Sequence, residues 1–329
     1  MSTHTSAPAP SETTAPPTVG TIFDGAAAQA ELLEEARDLA ARSRVVPRLV
    51  LVAIDSANPL LPVNVALHTK VLGAAGVDVS TTLLGPATTA DELQATVAGI
   101  QADPTVDVLM VLLPLPEHLD VREVLSWIDP DREIEGLHPE HARGLLAVSL
   151  AGEQARRPVA AEAVMHVLGK LEVDLSDATV VVLVDADLMA QNPVAHLVAR
   201  AAAPAALPVS TAVVLVPHTH PRAAEISRMA DVLVVSVEQT RVVTGDWISP
   251  GAVVIDFNPV VVGTRPHPKD PTRTLPVIAG GVDVADVSAV ASSLCAIPGG
   301  VGPVMLGILA REVVRTAVRR ATAPAGASS

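Results

Sequence analysis

Two short pairs of polar side chains have spacings that suit a cation. His218-Thr219-His220 sets two imidazoles at i and i+2, which share a face if the segment is a strand. Asp185-Ala186-Asp187 does the same with two carboxylates, a magnesium-type donor set. Two ligands alone rarely make a site, no third is identifiable near the histidines, and no metal is assigned to either pair. His68 is a candidate acid–base group, because imidazole exchanges a proton near neutral pH. The alternative is a helix-surface histidine with no chemical role. A last segment, Pro298-Gly299-Gly300-Val301-Gly302-Pro303, lets backbone pass close to a ligand. It can equally be a turn needed only to launch the final helix.

The composition limits what these groups serve. The chain has 329 residues, 49% of them hydrophobic, which is enough for a large core. Its 22 basic against 36 acidic residues give a net charge of -14, which argues against a nucleic-acid-binding face. There is no tyrosine, and the aromatics are Phe23, Phe257, Trp127 and Trp247, so phenol chemistry and aromatic stacking platforms are excluded. The lysines are Lys70, Lys170 and Lys269. A single cysteine, Cys295, excludes an internal disulfide framework and a Cys-rich zinc site, and fits a reducing cytoplasm. No basic-then-apolar leader and no run of 18 apolar residues is present, so a cytoplasmic protein with no membrane partner is expected.

The elements that must position these groups alternate. Continuous apolar runs at Arg48–Ile54, Val77–Leu84, Val106–Leu113, Thr179–Val184, Thr211–Val216, Val232–Val237 and Ala252–Asp256 read as strands covered on both faces, hence a parallel sheet. Helical patterns lie near 25–43, 63–75, 90–102, 160–170, 193–203, 221–229 and 301–320. This is an α/β protein built from βαβ units. Residues 1–19 and 323–329 read as polar tails, a linker falls near 150–158, and Gly263–Pro276 reads as a surface loop.

Three segments say more. They are Leu112-Leu113-Pro114-Leu115-Pro116 with Ile128-Asp129-Pro130 and Glu135-Gly136-Leu137-His138-Pro139; Thr244-Gly245-Asp246-Trp247-Ile248 with Pro250-Gly251-Ala252-Val253-Val254-Ile255-Asp256; and Ile297-Pro298-Gly299-Gly300-Val301-Gly302-Pro303. In this order and spacing the chain resembles the bifunctional methylenetetrahydrofolate dehydrogenase/cyclohydrolase family over roughly residues 20–320. The resemblance implies two domains around a cleft. Residues 20–154 with 291–322 would form the folate-type catalytic domain, and 155–290 a Rossmann-type NAD(P)-binding-like domain. It also implies a homodimer, with tetrahydrofolate as substrate and NADP or NAD as cofactor. The family oxidises methylenetetrahydrofolate and then hydrolyses the methenyl product to formyltetrahydrofolate.

Carried over residue by residue, the resemblance meets substitutions. The family's key helix has Tyr-x-x-x-Lys on one face, the lysine moving protons and polarising the folate's reacting centre. Counted back from Ala74-Ala75-Gly76-Val77, these positions are Asn64 and His68. Lys70 points about 200° away around the helix and does not replace the lysine. The family's glutamine before Leu-Pro-Leu-Pro matches Leu112, which cannot hydrogen-bond. The aspartate that holds the pterin ring matches Glu135, a carboxylate moved by one methylene; a turn-capping role is the alternative. The Pro298–Pro303 loop would border the folate.

The cofactor positions depart further. The family's Gly-Arg-Ser-x-x-Val-Gly-x-Pro loop, which cradles phosphate, matches Asp185 to Pro193, with Ala186 and Asp187 at the arginine and serine positions. A carboxylate ~5 Å from a phosphate is repelled by about 1 kcal/mol even in water. His-Ser-x-Thr matches Pro217 to His220, including His218, and Asp-Val-Gly-Ile-Asn matches Asp256 to Val260, including Pro259. Three readings follow: an altered folate enzyme using His68, a repurposed or non-catalytic folate-type binder, and a structural or regulatory partner of an active homologue.

Overall fold

In the computed structural model, residues 20–56, 58–141, 156–185 and 210–322 are described, with the side chains of 271–273 excepted. The first compact unit is a three-stranded parallel sheet in the order β3-β2-β4, made of β2 (Arg48–Ile54), β3 (Asp78–Leu84) and β4 (Val108–Val111). Alternation along β2 explains its unbroken apolar run. Leu49, Leu51 and Ala53 point into one core, while Val52 and Ile54 point into another beneath α3 (Ala90–Ala102) and α4 (Val121–Ser126). Local chemistry sets the helix starts. In α1 (Gly25–Ser43) the Asp24 carboxylate accepts the amides of Ala26 and Ala27, each at 3.0 Å. In α3, Thr89 and Glu92 form a reciprocal capping box.

The second sheet has six parallel strands in the order β1-β11-β8-β7-β5-β6. They are β1 (Thr21–Ile22), β5 (Thr179–Val184), β6 (Ala212–Pro217), β7 (Val232–Ser236), β8 (Val253–Asp256) and β11 (Ser293–Cys295). From β5 the chain goes outward to β6 and returns to β7 on the other side of β5. That reversal is a topological switch point, where ligands of open α/β sheets sit at the carboxyl ends of the strands. Here too alternate residues serve two cores: Val180, Val182 and Val184 face one, Val181 and Leu183 the other.

The first of those cores is continuous across the two sheets. It takes in Leu51, Leu72, Leu112, Ile134, Val182 and Ile255, together with α5 (Val159–Lys170) and α8 (Val301–Thr322). The final helix α8 lies along α1, and Gly307 makes the approach possible: a Cβ there would stand 2.9 Å from the Leu32 side chain. The remaining short helices are α6 (Ala223–Ser227) and α7 (Val284–Val287).

Several expectations need correction. Gly263–Pro276 is not a loop but part of an antiparallel hairpin, β9 (Val260–His267) with β10 (Asp270–Ala279). Its glycine and prolines sit in an exposed two-stranded ribbon with bulges, where they are tolerated. The helix expected at 221–229 is only Ala223–Ser227, and the strand expected at 106–113 narrows to Val108–Val111. The helix expected at 193–203, most of the 150–158 linker and both tails lie outside the described residues. Among the described residues no helix is long and apolar enough to cross a membrane.

Candidate functional site

Most of the candidate groups follow the carboxyl ends of parallel strands. α2 (Leu61–Ala74) follows β2, starts with Pro62 in its first turn, and packs Leu61, Val71 and Leu72 inward. It carries Asn64 and His68, both half-buried. The His68 Nδ1 lies 2.7 Å from the Asn64 carbonyl oxygen. A carbonyl only accepts, so Nδ1 carries the hydrogen and donates it. Burial pulls the His68 pKa below its ordinary 6.5, against a smaller upward pull from that bond. The ring is therefore neutral at pH 7, with an Nε2 lone pair. It can take up a proton or accept a hydrogen bond, and it supplies no standing positive charge.

Leu112 follows β4, is buried, and ties its amide to the Val52 carbonyl at 2.8 Å. The next peptide, Leu113–Pro114, is cis. The chain then reaches the turn 133–138. Glu133, which sequence reasoning missed, builds that turn. Its buried carboxylate accepts the amides of Glu135 at 2.5 Å, Leu137 at 3.0 Å and His138 at 3.2 Å. So the turn-bracing role considered for Glu135 belongs to Glu133. The signal was a carboxylate three residues before Gly136, whose φ of +73° only glycine adopts readily. A Cβ on Gly136 would meet the Arg157 carbonyl oxygen at 2.5 Å, so this turn is pressed against the start of α5. The Glu135 carboxyl is left for other work. Burial first, and the Glu133 charge second, push its pKa up to about 8. At neutral pH it is a carboxylic acid with one donor and one acceptor.

The Pro298–Pro303 loop follows β11. Ile297–Pro298 is cis and Gly299 has φ +100°. Pro298, Gly299 and Gly302 are exposed, Pro303 is half-buried, and Gly300 and Val301 are buried. The loop also braces α1. Gly25 donates its amide to the Gly299 carbonyl at 3.0 Å, and Gln29 reaches the Pro303 carbonyl at 2.9 Å. A Cβ on Gly25 would stand 2.0 Å from the Gly300 carbonyl oxygen. The exposed side of the loop remains available to a ligand.

At the switch point, Asp185 donates its amide to the Ser236 carbonyl at 3.0 Å, tying the end of β5 to the end of β7. Ala186 and Asp187 lie outside the described residues. His218 follows β6 and sets its Nδ1 3.3 Å from the Val184 carbonyl. β6 stops at Pro217, so His218 and His220 sit in a turn, not on one face of a strand as the metal reading required. The His220 Nδ1 accepts the Arg222 amide at 3.1 Å. No group of three or more potential metal ligands occurs among the described residues. Pro259 is exposed just beyond β8. The stronger feature there is Asp256, fully buried, whose two oxygens accept the amides of Gly281 at 3.1 Å and Val282 at 3.2 Å. It closes the base of the β9–β10 hairpin. Burial pushes its pKa up to about 7 despite those bonds.

An open parallel sheet with a switch point, joined through one core to a smaller α/β unit and bordered by a Pro-Gly-Gly turn, defines a two-domain α/β protein of the dinucleotide-binding class. Comparison with known proteins narrows this. Residues 23–135 match the tetrahydrofolate dehydrogenase/cyclohydrolase catalytic domain, and residues 158–321 match the NAD(P)-binding domain of the same family. The chain is 32% identical over 295 residues to the bifunctional protein FolD of Rhodospirillum rubrum, covering 88% of this chain and 94% of that protein. It is 33% identical over 304 residues to FolD of Sorangium cellulosum, covering 91% and 97%. Among solved structures, the methylenetetrahydrofolate dehydrogenase-cyclohydrolase of Trypanosoma brucei, complexed with NADP and an inhibitor, superposes with a TM-score of 0.76 at 28% identity, covering 92% of this chain and 99% of that one. The chain belongs to the tetrahydrofolate dehydrogenase/cyclohydrolase family.

Proposed function

We propose that this chain is a divergent family member that binds a tetrahydrofolate-like ligand in the family cleft and has lost or altered the NAD(P)-dependent oxidation. The domains would divide at about 155, with the C-terminal helix completing the folate-type side, and the protein would be a homodimer, as the family resemblance implies. The observation that carries the reading is the state of His68. Where the family has a lysine, this helix holds a neutral imidazole whose Nδ1–H is committed to the Asn64 carbonyl.

The remaining positions agree. Leu112 supplies no hydrogen bond to support a cation on α2. Glu135, protonated at neutral pH, offers a pterin ring a donor and an acceptor in place of a carboxylate charge. The Asp185 side chain stands at the β5 end, where the dinucleotide's phosphates approach in this fold, and residues 185–192 contain no glycine. This donor set does not fit a pyrophosphate or a 2′-phosphate. Electrostatics and the loss of close backbone approach both work against them.

A second reading rests on the His68 Nε2. A neutral imidazole can activate a water for hydrolysis of a methenyl-type substrate, with no dinucleotide required. A single-turnover assay separates the two halves. Enzyme in excess over methylenetetrahydrofolate, with NADP or NAD, is expected to give no methenyl signal beyond the buffer rate. Clear enzyme-dependent methenyl formation with either nucleotide would refute the loss of oxidation. Hydrolysis of added methenyltetrahydrofolate that disappears in His68→Ala would establish the second reading. Calorimetry with tetrahydrofolate tests the binding claim, and absence of binding would overturn it.

A further inference from the structure

A cavity of about 470 Å³ lies between the 131–141 turn, the start of α5 and the outer half of α8. It is not the folate-type site. Its lining on α8 runs from Ile308 to Arg319, about 10 to 27 Å along the axis from Val301, where the Pro-Gly-Gly loop ends.

The cavity's charges do not balance locally. Arg157 and Arg315 are matched, by Glu162 at 3.0 Å and Glu312 at 2.9 Å. Arg156 and Arg319 are not: neither has a carboxylate within 4.0 Å among the described residues. Both instead aim at one hydroxyl. Arg156 approaches the Thr316 Oγ1 with Nη1 at 3.2 Å and Nη2 at 3.3 Å, and Arg319 with Nη2 at 3.0 Å. Thr316 is buried, at 1% exposure. Its oxygen has two lone pairs and one hydrogen. Among the described residues the lone pairs meet guanidinium donors, and the hydroxyl hydrogen has no acceptor. Two cations that converge on one buried hydroxyl and both line the cavity call for an oxygen-rich anion. The buried Glu133 and the cavity-lining Glu312 and Asp131 carboxylates also attract Arg156, but all from farther than an ion pair allows.

We propose that this cavity binds a doubly charged oxyanion, a phosphate or phosphate monoester, held by Arg156 and Arg319, with the buried Thr316 hydroxyl behind them bridging and spacing the two guanidiniums. Guanidinium forks match phosphate oxygens in pairs, and the hydroxyl behind them fixes their spacing. The volume exceeds that of phosphate alone and is in the range that holds small organic ligands. The two matched ion pairs, Arg157–Glu162 and Arg315–Glu312, supply a polar wall for the hydroxyls of such a ligand.

The test is calorimetry of the full chain with inorganic phosphate and with glycerol 3-phosphate at low salt. Saturable one-site binding is expected, weakened at least ~10-fold in Arg319→Gln and in Thr316→Val. Arg265→Gln, on the distant exposed hairpin, should bind as the wild type does. Arg319 is exposed, so its variant folds even if Arg156→Gln does not. Tighter binding of glycerol 3-phosphate would assign an organic phosphate, and equal binding a free phosphate. No binding at millimolar ligand, or binding that Arg319→Gln and Thr316→Val leave unchanged, would overturn the proposal.

Discussion

The Glu133 carboxylate accepts the backbone amide of Glu135 at 2.5 Å, so the residue that fixes the turn and the residue the turn displays are two positions apart. One carboxyl group is spent on three amides. The other is half-buried beside it and cannot easily ionise. In a low-dielectric turn, two neighbouring carboxyls do not both hold charge without cost.

Glu135 should therefore weaken the fold as the pH rises. Its pKa is 4.5 in the unfolded chain and about 8 in the folded one. The folded state binds the proton more tightly, so this contribution is fully present below pH 4.5 and is lost as the pH climbs through 8. Glu135→Gln, which stays neutral, should match the wild type near pH 5. It should exceed it by about 4 kcal/mol near pH 9. Urea unfolding of both proteins at the two pH values checks this, and a stability difference that does not change with pH would contradict it.

Asp256 makes a different demand. Its carboxyl fills the space beside Gly280, where an added Cβ would stand 1.8 Å from Oδ2. Gly280→Ala must push that buried carboxyl off the Gly281 and Val282 amides. A loss of about 3 kcal/mol is expected, since two buried donors lose their acceptor. Chemical denaturation measures it. A milder change, below about 1 kcal/mol, would mean that the hairpin base relaxes without cost.

A similar close approach fixes the cleft-side loop. Gly25→Ala would drive a methyl into the Gly300 carbonyl, 2.0 Å from the Cβ position. Because α1 and the Pro298–Pro303 loop meet backbone to backbone, the variant should lose folate-type binding along with stability. Calorimetry with tetrahydrofolate, set beside a thermal melt, separates the two effects. Full binding in a destabilised variant would show that the loop's exposed side does not touch the ligand.

Much of this architecture was legible because local and global signals coincide. Helices 25–43 and 90–102 appear at the expected bounds, where Asp24 and the Thr89–Glu92 box mark their starts. Strands such as Thr179–Val184 were readable because both faces are covered, leaving no polar residue to interrupt the run. β1 and β11 were not, because two or three residues carry no period and exist only through pairing across the chain. The β9–β10 hairpin was hidden by its glycine and prolines. For the candidate site, family spacing pointed to His68, Leu112 and Glu135. The protonation states of His68 and Glu135, and the work of Glu133, arise from burial and from amide directions that appear only on folding.

His68 offers the most direct test of what the site has become. Burial, the larger influence, lowers its pKa, and the Asn64 bond raises it less. The ring should thus titrate below 6.5 in a proton NMR experiment and be neutral throughout the physiological range. Chemistry that needs a fixed cation at the His68 position of α2 is then absent wherever that ring is neutral. Restoring it is expected to take two changes, because the family resemblance pairs the lysine with a glutamine where this chain has the apolar Leu112. His68→Lys alone should therefore gain little. His68→Lys with Leu112→Gln should raise cyclohydrolase turnover of methenyltetrahydrofolate at least ~10-fold over the wild type, since groups that act as a unit gain and lose activity together. If the double variant folds and its rate does not rise, the α2 position does not govern this chemistry, and the difference from the family lies elsewhere in the cleft.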